Sequence, residues 1–120
     1  MRRLIISLEG QVDISGILAH SAEAFGLNAR SRYRTLLDVA LRDLINDPNL
    51  VGSQVRAELG AGVRVYSLRN SRQRARVSGG TVSEPRHVIV YEYDEAQVRV
   101  MRILHEAMDL ARHIHPSSPL

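Results

Sequence analysis

The sequence has 120 residues, of which 44% are hydrophobic and 24% are charged, and its formal net charge is +3. This length and composition fit one globular domain with a modest core, and they exclude a natively disordered chain. The lack of cysteine and lysine excludes disulfides, thiolate metal sites and a lysine base, while the modest positive charge suits an acidic protein or a nucleic acid as partner.

The N-terminal part of the chain predicts a strand followed by two helices. Residues 3–8 are short and rich in Leu and Ile, which favours a strand. Asp13 is a suitable N-cap for a first helix, which ends at Gly26, a residue type that commonly terminates helices. The second helix covers about residues 28–46 and has one continuous apolar face. Two helices joined at a glycine predict a hairpin that packs its apolar side against the strands that follow.

Three further strands are predicted after a connecting segment over residues 49–62. They cover residues 63–69, 87–93 and 97–105, where apolar and β-branched residues are concentrated. Between the first two of these strands, residues 70–86 are rich in arginine and contain glycines and a proline. This segment predicts a long excursion between strands, with extension as a β-ribbon as one possibility.

The last predicted strand has apolar residues on both of its faces. Strict alternation assigns Val98, Val100 and Leu104 to one face and Met101 and Ile103 to the other. A strand that is apolar on both faces is typical of a central position, covered on both sides. An acidic turn over residues 94–96 precedes it, and a short helix over residues 106–113 follows it.

This order of elements predicts an α+β fold. An N-terminal strand and a two-helix hairpin pack on a small, mainly antiparallel sheet, and a short C-terminal helix closes the chain. We expect one domain over residues 1–115 and a flexible tail over residues 116–120. The apolar run after Met1 is too short for a signal peptide, and no run approaches a membrane span, so we expect a cytoplasmic protein without membrane association.

Several strings in the chain resemble the RelE/ParE toxins of bacterial type II toxin–antitoxin systems. The most specific stretch is residues 98–113, which contains the string Arg-Ile-Leu-His-x-x-Met-Asp. Residues 62–69 and 86–91 are similar to the second and third strands of that family. The resemblance covers almost the whole chain and is nearest to the ParE branch at the Ile-Leu-His-x-x-Met-Asp ending. It is weakest at the N-terminus and in the arginine-rich segment.

The resemblance implies a toxin that inhibits DNA gyrase without a chemical step of its own. A cognate antitoxin, ParD-like or another small acidic protein, would neutralise it in a hetero-oligomeric complex. RelE-like members are instead ribosome-dependent mRNA endonucleases, and that activity is the alternative. A third hypothesis is a non-toxic binding module that kept the fold. None of these functions implies a cofactor or a metal ion.

The two activities imply different sets of site residues. A nuclease would use arginines to stabilise the transition state and a tyrosine or histidine to move protons. Its candidates are Arg64, Arg69, Tyr91, Arg99 and His105. For His105 there is also a structural interpretation, in which its hydrogen bonds fix the junction after the last strand.

Binding of an antitoxin or target draws on the strand arginines and the C-terminal helix. The candidates are Arg64, Arg69, Arg99, Arg102, Met108, Asp109, Arg112 and His113. Arginines on neighbouring strands could line a groove for phosphate or for an acidic antitoxin segment. Alternatively, they are solvated and pair with Glu92 or Glu95 across the strands.

Overall fold

A computed structural model describes residues 2–77 and 82–114 of the chain. Its strands are β1 (Arg3–Ile6), β2 (Ser53–Val55), β3 (Arg64–Ser67), β4 (His87–Tyr93) and β5 (Gln97–His105). Its helices are α1 (Leu8–Phe25), α2 (Leu27–Asn46), α3 (Arg72–Val77) and α4 (Leu110–His113). Two short 3₁₀ helices, Ala57–Leu59 and Leu68–Ser71, flank β3. The predicted α+β class is confirmed.

The five strands form one mixed sheet in the order β1-β5-β4-β3-β2. Only the β1–β5 pair is parallel among the described strands, so the sheet is mainly antiparallel, as predicted. β5 lies between β1 and β4, inside the sheet, which confirms its predicted central position. β2 was not predicted, because its three residues in the connecting segment are too few to show alternation.

The sheet has two apolar faces of unequal size. The hairpin face is the side covered by α1 and α2, where Leu36 and Leu44 of α2 pack with Tyr66 and Ile89 of the sheet. The second face is the opposite side, and its smaller cluster includes the following residues: Leu59, Val63, Val65, Val88, Val90, Leu104 and Ile114. The second face is therefore covered by Leu59 of a 3₁₀ helix and by Ile114, the residue that follows α4.

A β-bulge in β5 makes the predicted assignment of its faces wrong. Val90 pairs with Arg102, whereas Tyr91 pairs with Val100, so Met101 is an extra residue in β5. The extra residue changes the alternation. Ile103 therefore joins Val98 and Val100 on the hairpin face, while Leu104 and Met101 belong to the second face.

Helix α1 begins earlier than predicted, and its N-cap is Ser7, not Asp13. The Ser7 hydroxyl accepts a hydrogen bond of 2.9 Å from the Gly10 amide, which satisfies a free donor of the first turn. Gly10 is buried there, and a Cβ on it would lie 3.0 Å from the Ile6 Cγ2 atom. The small residue lets the helix start directly after β1, so Asp13 falls inside α1.

Asp13 instead completes the edge of β5 beyond the end of β1. The Ser7 amide donates to the Val100 carbonyl (3.0 Å), and the Ser7 hydroxyl donates to the Met101 carbonyl (2.6 Å). The Asp13 carboxylate then accepts from the Ile103 amide at 2.9 Å. Side chains of the β1–α1 junction thus replace a strand as hydrogen-bonding partner of β5.

Residues 70–86 lie between β3 and β4, as predicted, but the possibility of a β-ribbon is wrong for the first part of this segment, which is helical. β3 ends at Ser67, whose hydroxyl accepts from the Arg69 amide and starts a 3₁₀ helix that leads into α3. Ser71 is buried and donates to the Asp43 carboxylate of α2 at 2.6 Å. These contacts hold the segment against α2. Residues 78–81 lie outside the described ranges.

The C-terminal helix is shorter than predicted. α4 contains only Leu110–His113, and Asp109 caps it by accepting from the Ala111 amide at 3.2 Å. The expected tail over residues 116–120 lies outside the described residues. Within residues 2–77 and 82–114, no helix has the length and apolar character needed to cross a bilayer.

The contacts of Asp13 predict a large effect on stability. Asp13→Ala would leave the Arg102 side chain and the Ile103 amide without their acceptor in a site where the Asp13 side chain is only 12% exposed. We expect the free energy of unfolding to fall by about 3 kcal/mol, measured by urea denaturation. The control is Glu9→Ala, which removes a 59% exposed partner of Arg102 and should cost less than about 1 kcal/mol. Equal losses in the two variants would contradict this role.

Candidate functional site

The strand arginines predicted to form a groove point to different sides of the sheet. Arg64 lies opposite Tyr91 on the hairpin face, where its Nε donates to the Ser53 hydroxyl at 2.8 Å. Arg99 lies on the second face and pairs with Glu92 (3.0 Å) and Asp94 (2.8 Å). These two carboxylates raise the pKa of Arg99, Asp94 contributing most. The two arginines therefore do not line one groove.

Arg69 lies at the far end of the sheet, near the turn after β5. Its guanidinium donates to the Glu106 carboxylate at 2.6 Å and to the Pro85 carbonyl at 3.2 Å. Arg86 reaches the same Glu106 carboxylate at 3.4 Å. This exposed cluster ties the start of β4 to the end of β5.

Arg102 is more enclosed than Arg69, Arg99 and Arg112, with 20% of its side chain exposed. Its guanidinium makes a bidentate contact with Asp13, at 2.8 and 2.9 Å, which raises the pKa of Arg102. It also donates to the His113 carbonyl at 3.1 Å. Arg102 thus joins α1, β5 and the end of α4, and it sets the position of the C-terminal segment.

Two of the remaining C-terminal candidates line an exposed groove. The groove has a volume of about 340 Å³ and runs between α1 and the turn after β5, with Met108 and His113 on the C-terminal side. Val12 of α1 lies on the other side and is 70% exposed; Met108 is 45% exposed. We call this the α1–C-terminal groove. Asp109 and Arg112 are exposed beside it and lie 3.5 Å apart.

Tyr91, a candidate for proton transfer, is buried in the sheet. Its hydroxyl donates to the Pro48 carbonyl at 2.6 Å and contacts the Ser53 hydroxyl. Burial raises the pKa of Tyr91. The hydroxyl proton is therefore used to hold the loop before β2 against the sheet.

His105 belongs to a cluster that sequence reasoning missed. His87 lies directly opposite it on β4, with the ring centroids 5.5 Å apart and the rings edge to face. Tyr33 of α2 packs edge-on against His87 on the other side and contacts its Nδ1 atom with the hydroxyl. These three side chains and His20 line a cleft of about 670 Å³ between the hairpin and the sheet, which we call the histidine cleft.

Burial sets the protonation states in this cleft. It is the main cause that lowers the pKa of His87 to about 4, with the nearby charges of His105 and His20 acting in the same direction. Burial also raises the pKa of Tyr33 to about 12. At neutral pH His87 is therefore neutral, and it shares a hydrogen bond with the protonated Tyr33 hydroxyl.

The contacts of His105 fit a structural role at the end of β5. Its Nδ1 atom accepts from the Ala107 amide at 3.1 Å and so shapes the turn after β5. The pairing of His87 with His105 depends on the bulge at Met101, which shifts the register of the β4–β5 hairpin, and so it could not have been found from the sequence. The Tyr33 contact could not either, because Tyr33 and His87 are 54 positions apart in the chain. Among the described residues, no group of three or more His, Asp or Glu side chains is arranged to hold a metal ion.

A comparison with known protein families finds a match for this chain. A family model described as the ParE toxin of the type II toxin–antitoxin system parDE matches residues 4–110. The match runs from β1 to the first residue of α4, and so it includes the hairpin, the sheet and the turn that contains Met108. No curated protein matches the chain significantly.

The lowered pKa of His87 predicts a loss of stability in mild acid. The unfolded chain takes up a proton near pH 6.5 that the folded chain does not accept until about pH 4, so stability falls as the pH drops between these values. After allowance for partial exposure, this loss is on the order of 1–2 kcal/mol. His87→Gln, which keeps an acceptor for Tyr33, should reduce the loss in urea titrations at pH 7 and 4.5. His113→Gln is the control and should retain it. An identical pH dependence in all three proteins would contradict the prediction.

Proposed function

Because this chain belongs to the ParE toxin family of type II toxin–antitoxin systems, we propose that it inhibits DNA gyrase and that a cognate antitoxin neutralises it. The observation that carries the proposal is the family match over residues 4–110. Both the target and the antitoxin would act in the cytoplasm, which is the location we propose for this protein.

The contacts of the candidate nuclease residues favour this proposal over RNA cleavage. Arg64 and Arg99 lie on opposite faces of the sheet, and Arg99 is already neutralised by two carboxylates. The Tyr91 hydroxyl donates its hydrogen bond to the buried Pro48 carbonyl. Stabilising a phosphorane requires donors aimed at one point, and these side chains are held apart by their own partners. They support a scaffold role, in keeping with a toxin that acts by binding.

For the antitoxin we propose the α1–C-terminal groove as part of its binding surface. Val12 and Met108 offer apolar contacts on its two sides. Arg112 is 83% exposed, and an acidic partner would compete for it with Asp109, which lies 3.5 Å away. An amphipathic helix of a small acidic antitoxin combines the two properties that this surface requires. The toxin and antitoxin would then form a hetero-oligomer in which the toxin keeps its fold.

The gyrase proposal is tested with purified protein. We expect it to inhibit the supercoiling of relaxed plasmid by DNA gyrase, and expression of the chain alone to arrest bacterial growth. Unchanged supercoiling together with cleaved mRNA in a translating extract would favour the RelE-like alternative instead. Normal growth on expression would favour the non-toxic binding module.

The antitoxin surface is tested by charge substitution. Val12→Asp and Met108→Asp each place a carboxylate where an acidic partner should bind through apolar contacts. We expect each to weaken antitoxin binding at least about tenfold in calorimetric titration with the purified cognate antitoxin. Val51→Asp, at a position that is 95% exposed and outside the groove, is the matched control. Unchanged affinity in both groove variants would place the antitoxin elsewhere.

A further inference from the structure

The tip of the α1–α2 hairpin presents two large apolar side chains to solvent. Phe25 ends α1 and Leu27 begins α2, and they are 75% and 72% exposed. Single exposed apolar residues are common on protein surfaces, but these two flank one glycine at a helical turn. We call this three-residue segment the hairpin tip (Phe25–Gly26–Leu27).

The hairpin tip is held rigidly by the two helices. Gly26 has a φ of 92°, in the region that favours glycine, and is the only residue between α1 and α2. Its amide donates to the Ala22 carbonyl at 2.9 Å, and its carbonyl accepts from the Arg30 amide at 3.2 Å. The two apolar side chains are therefore presented on a preorganised backbone, which lowers the entropy lost when a partner binds.

Next to the hairpin tip lies a group of arginines without carboxylate partners among the described residues. Arg30, Arg32 and Arg34 are all exposed on the first turns of α2. The described ion pairs engage arginines elsewhere, such as Arg99 and Arg102, and none includes these three. The partial positive charge at the start of α2 adds to theirs, since no described side chain caps that end.

We propose that the hairpin tip docks into an apolar socket, rimmed by carboxylates, on the protein that this toxin inhibits. The assignment rests on the proposed function and deepens it by naming the surface that faces the target. Interface hot spots typically combine aromatic and aliphatic anchor residues with arginines, and the hairpin tip has this composition. Carboxylates on the partner would complement the three arginines.

A nucleic acid fits these observations less well as the partner. Binding to a duplex relies on basic side chains spread along the phosphate backbone. Here many arginines outside the tip are neutralised by carboxylates, for example Arg74 by Asp43 and Arg99 by Glu92. Beside the tip, by contrast, Arg30, Arg32 and Arg34 lie close in sequence to two exposed apolar side chains, a combination that suits an apolar socket with an acidic rim.

The hairpin tip is also distinct from the surface proposed for the antitoxin. Phe25 lies thirteen positions after Val12 in α1, a distance of roughly 20 Å at 1.5 Å per residue. Substitutions at the tip can therefore be tested without altering the α1–C-terminal groove.

The test uses two tip variants of the full chain. Phe25→Ser combined with Leu27→Ser removes the apolar anchors, and Arg32→Glu reverses one charge. We expect both to restore growth on expression and to weaken binding to purified gyrase, the double variant by at least roughly 100-fold. Both should keep the wild-type melting curve, because the changed side chains are exposed.

Each variant has a matched control at an equally exposed position. Leu8→Ser combined with Val51→Ser replaces two apolar side chains that are 79% and 95% exposed away from the tip. Arg42→Glu reverses an exposed charge near the other end of α2. The controls should arrest growth as the wild type does. Tip variants that fold and still arrest growth fully would overturn the proposal.

A photo-crosslinking residue at position 25 separates the classes of partner. In a mixture of purified gyrase and plasmid DNA, we expect the crosslink to form with a gyrase subunit. A crosslink to DNA would overturn the assignment to a protein socket. A further outcome is that the tip variants no longer arrest growth while the wild-type protein leaves supercoiling unaffected. That result would exclude gyrase as the target and support the hairpin tip as the docking surface for another protein.

Discussion

The carboxylate of Asp13 holds together three parts of the chain that are distant in sequence. It accepts two hydrogen bonds from the Arg102 guanidinium and one from the Ile103 amide. The same guanidinium also binds the His113 carbonyl. α1, the second half of β5 and the end of α4 therefore meet at one polar junction. Because β1 ends at Ile6, this junction completes the edge of the sheet, and the position of the hairpin depends on it.

The β-bulge at Met101 makes this junction compatible with a packed core. Without the extra residue, Ile103 would share a face with Met101, away from Val98 and Val100. With it, Ile103 packs under the hairpin, while Leu104 contributes to the second face. One irregular residue thus lets β5 serve two apolar layers and still offer an amide to Asp13.

The parts of the fold that were predicted correctly are those with a long or repeated signal. The apolar face of α2 runs from Tyr33 to Ile45, more than three turns. The β4–β5 hairpin has an acidic turn at its centre, so both elements could be found from the sequence. The bulge could not, since a period of two contains no mark of an inserted residue. Asp13 is as suitable for a cap as Ser7, and only the space around Gly10 decides between them. The contact between Tyr33 and His87 arises from tertiary packing alone.

The separation of the two proposed surfaces constrains how an antitoxin would neutralise this toxin. The α1–C-terminal groove and the hairpin tip lie on the same helix, roughly 20 Å apart. An antitoxin in the groove could act on the tip by shifting α1, but such a shift would break the Asp13 junction and expose an enclosed guanidinium, which is costly. A partner can drive a conformational change only as far as its differential affinity allows. An antitoxin long enough to extend along α1 from the groove would cover the tip without breaking this junction. Direct coverage of the tip is therefore the arrangement that this fold favours.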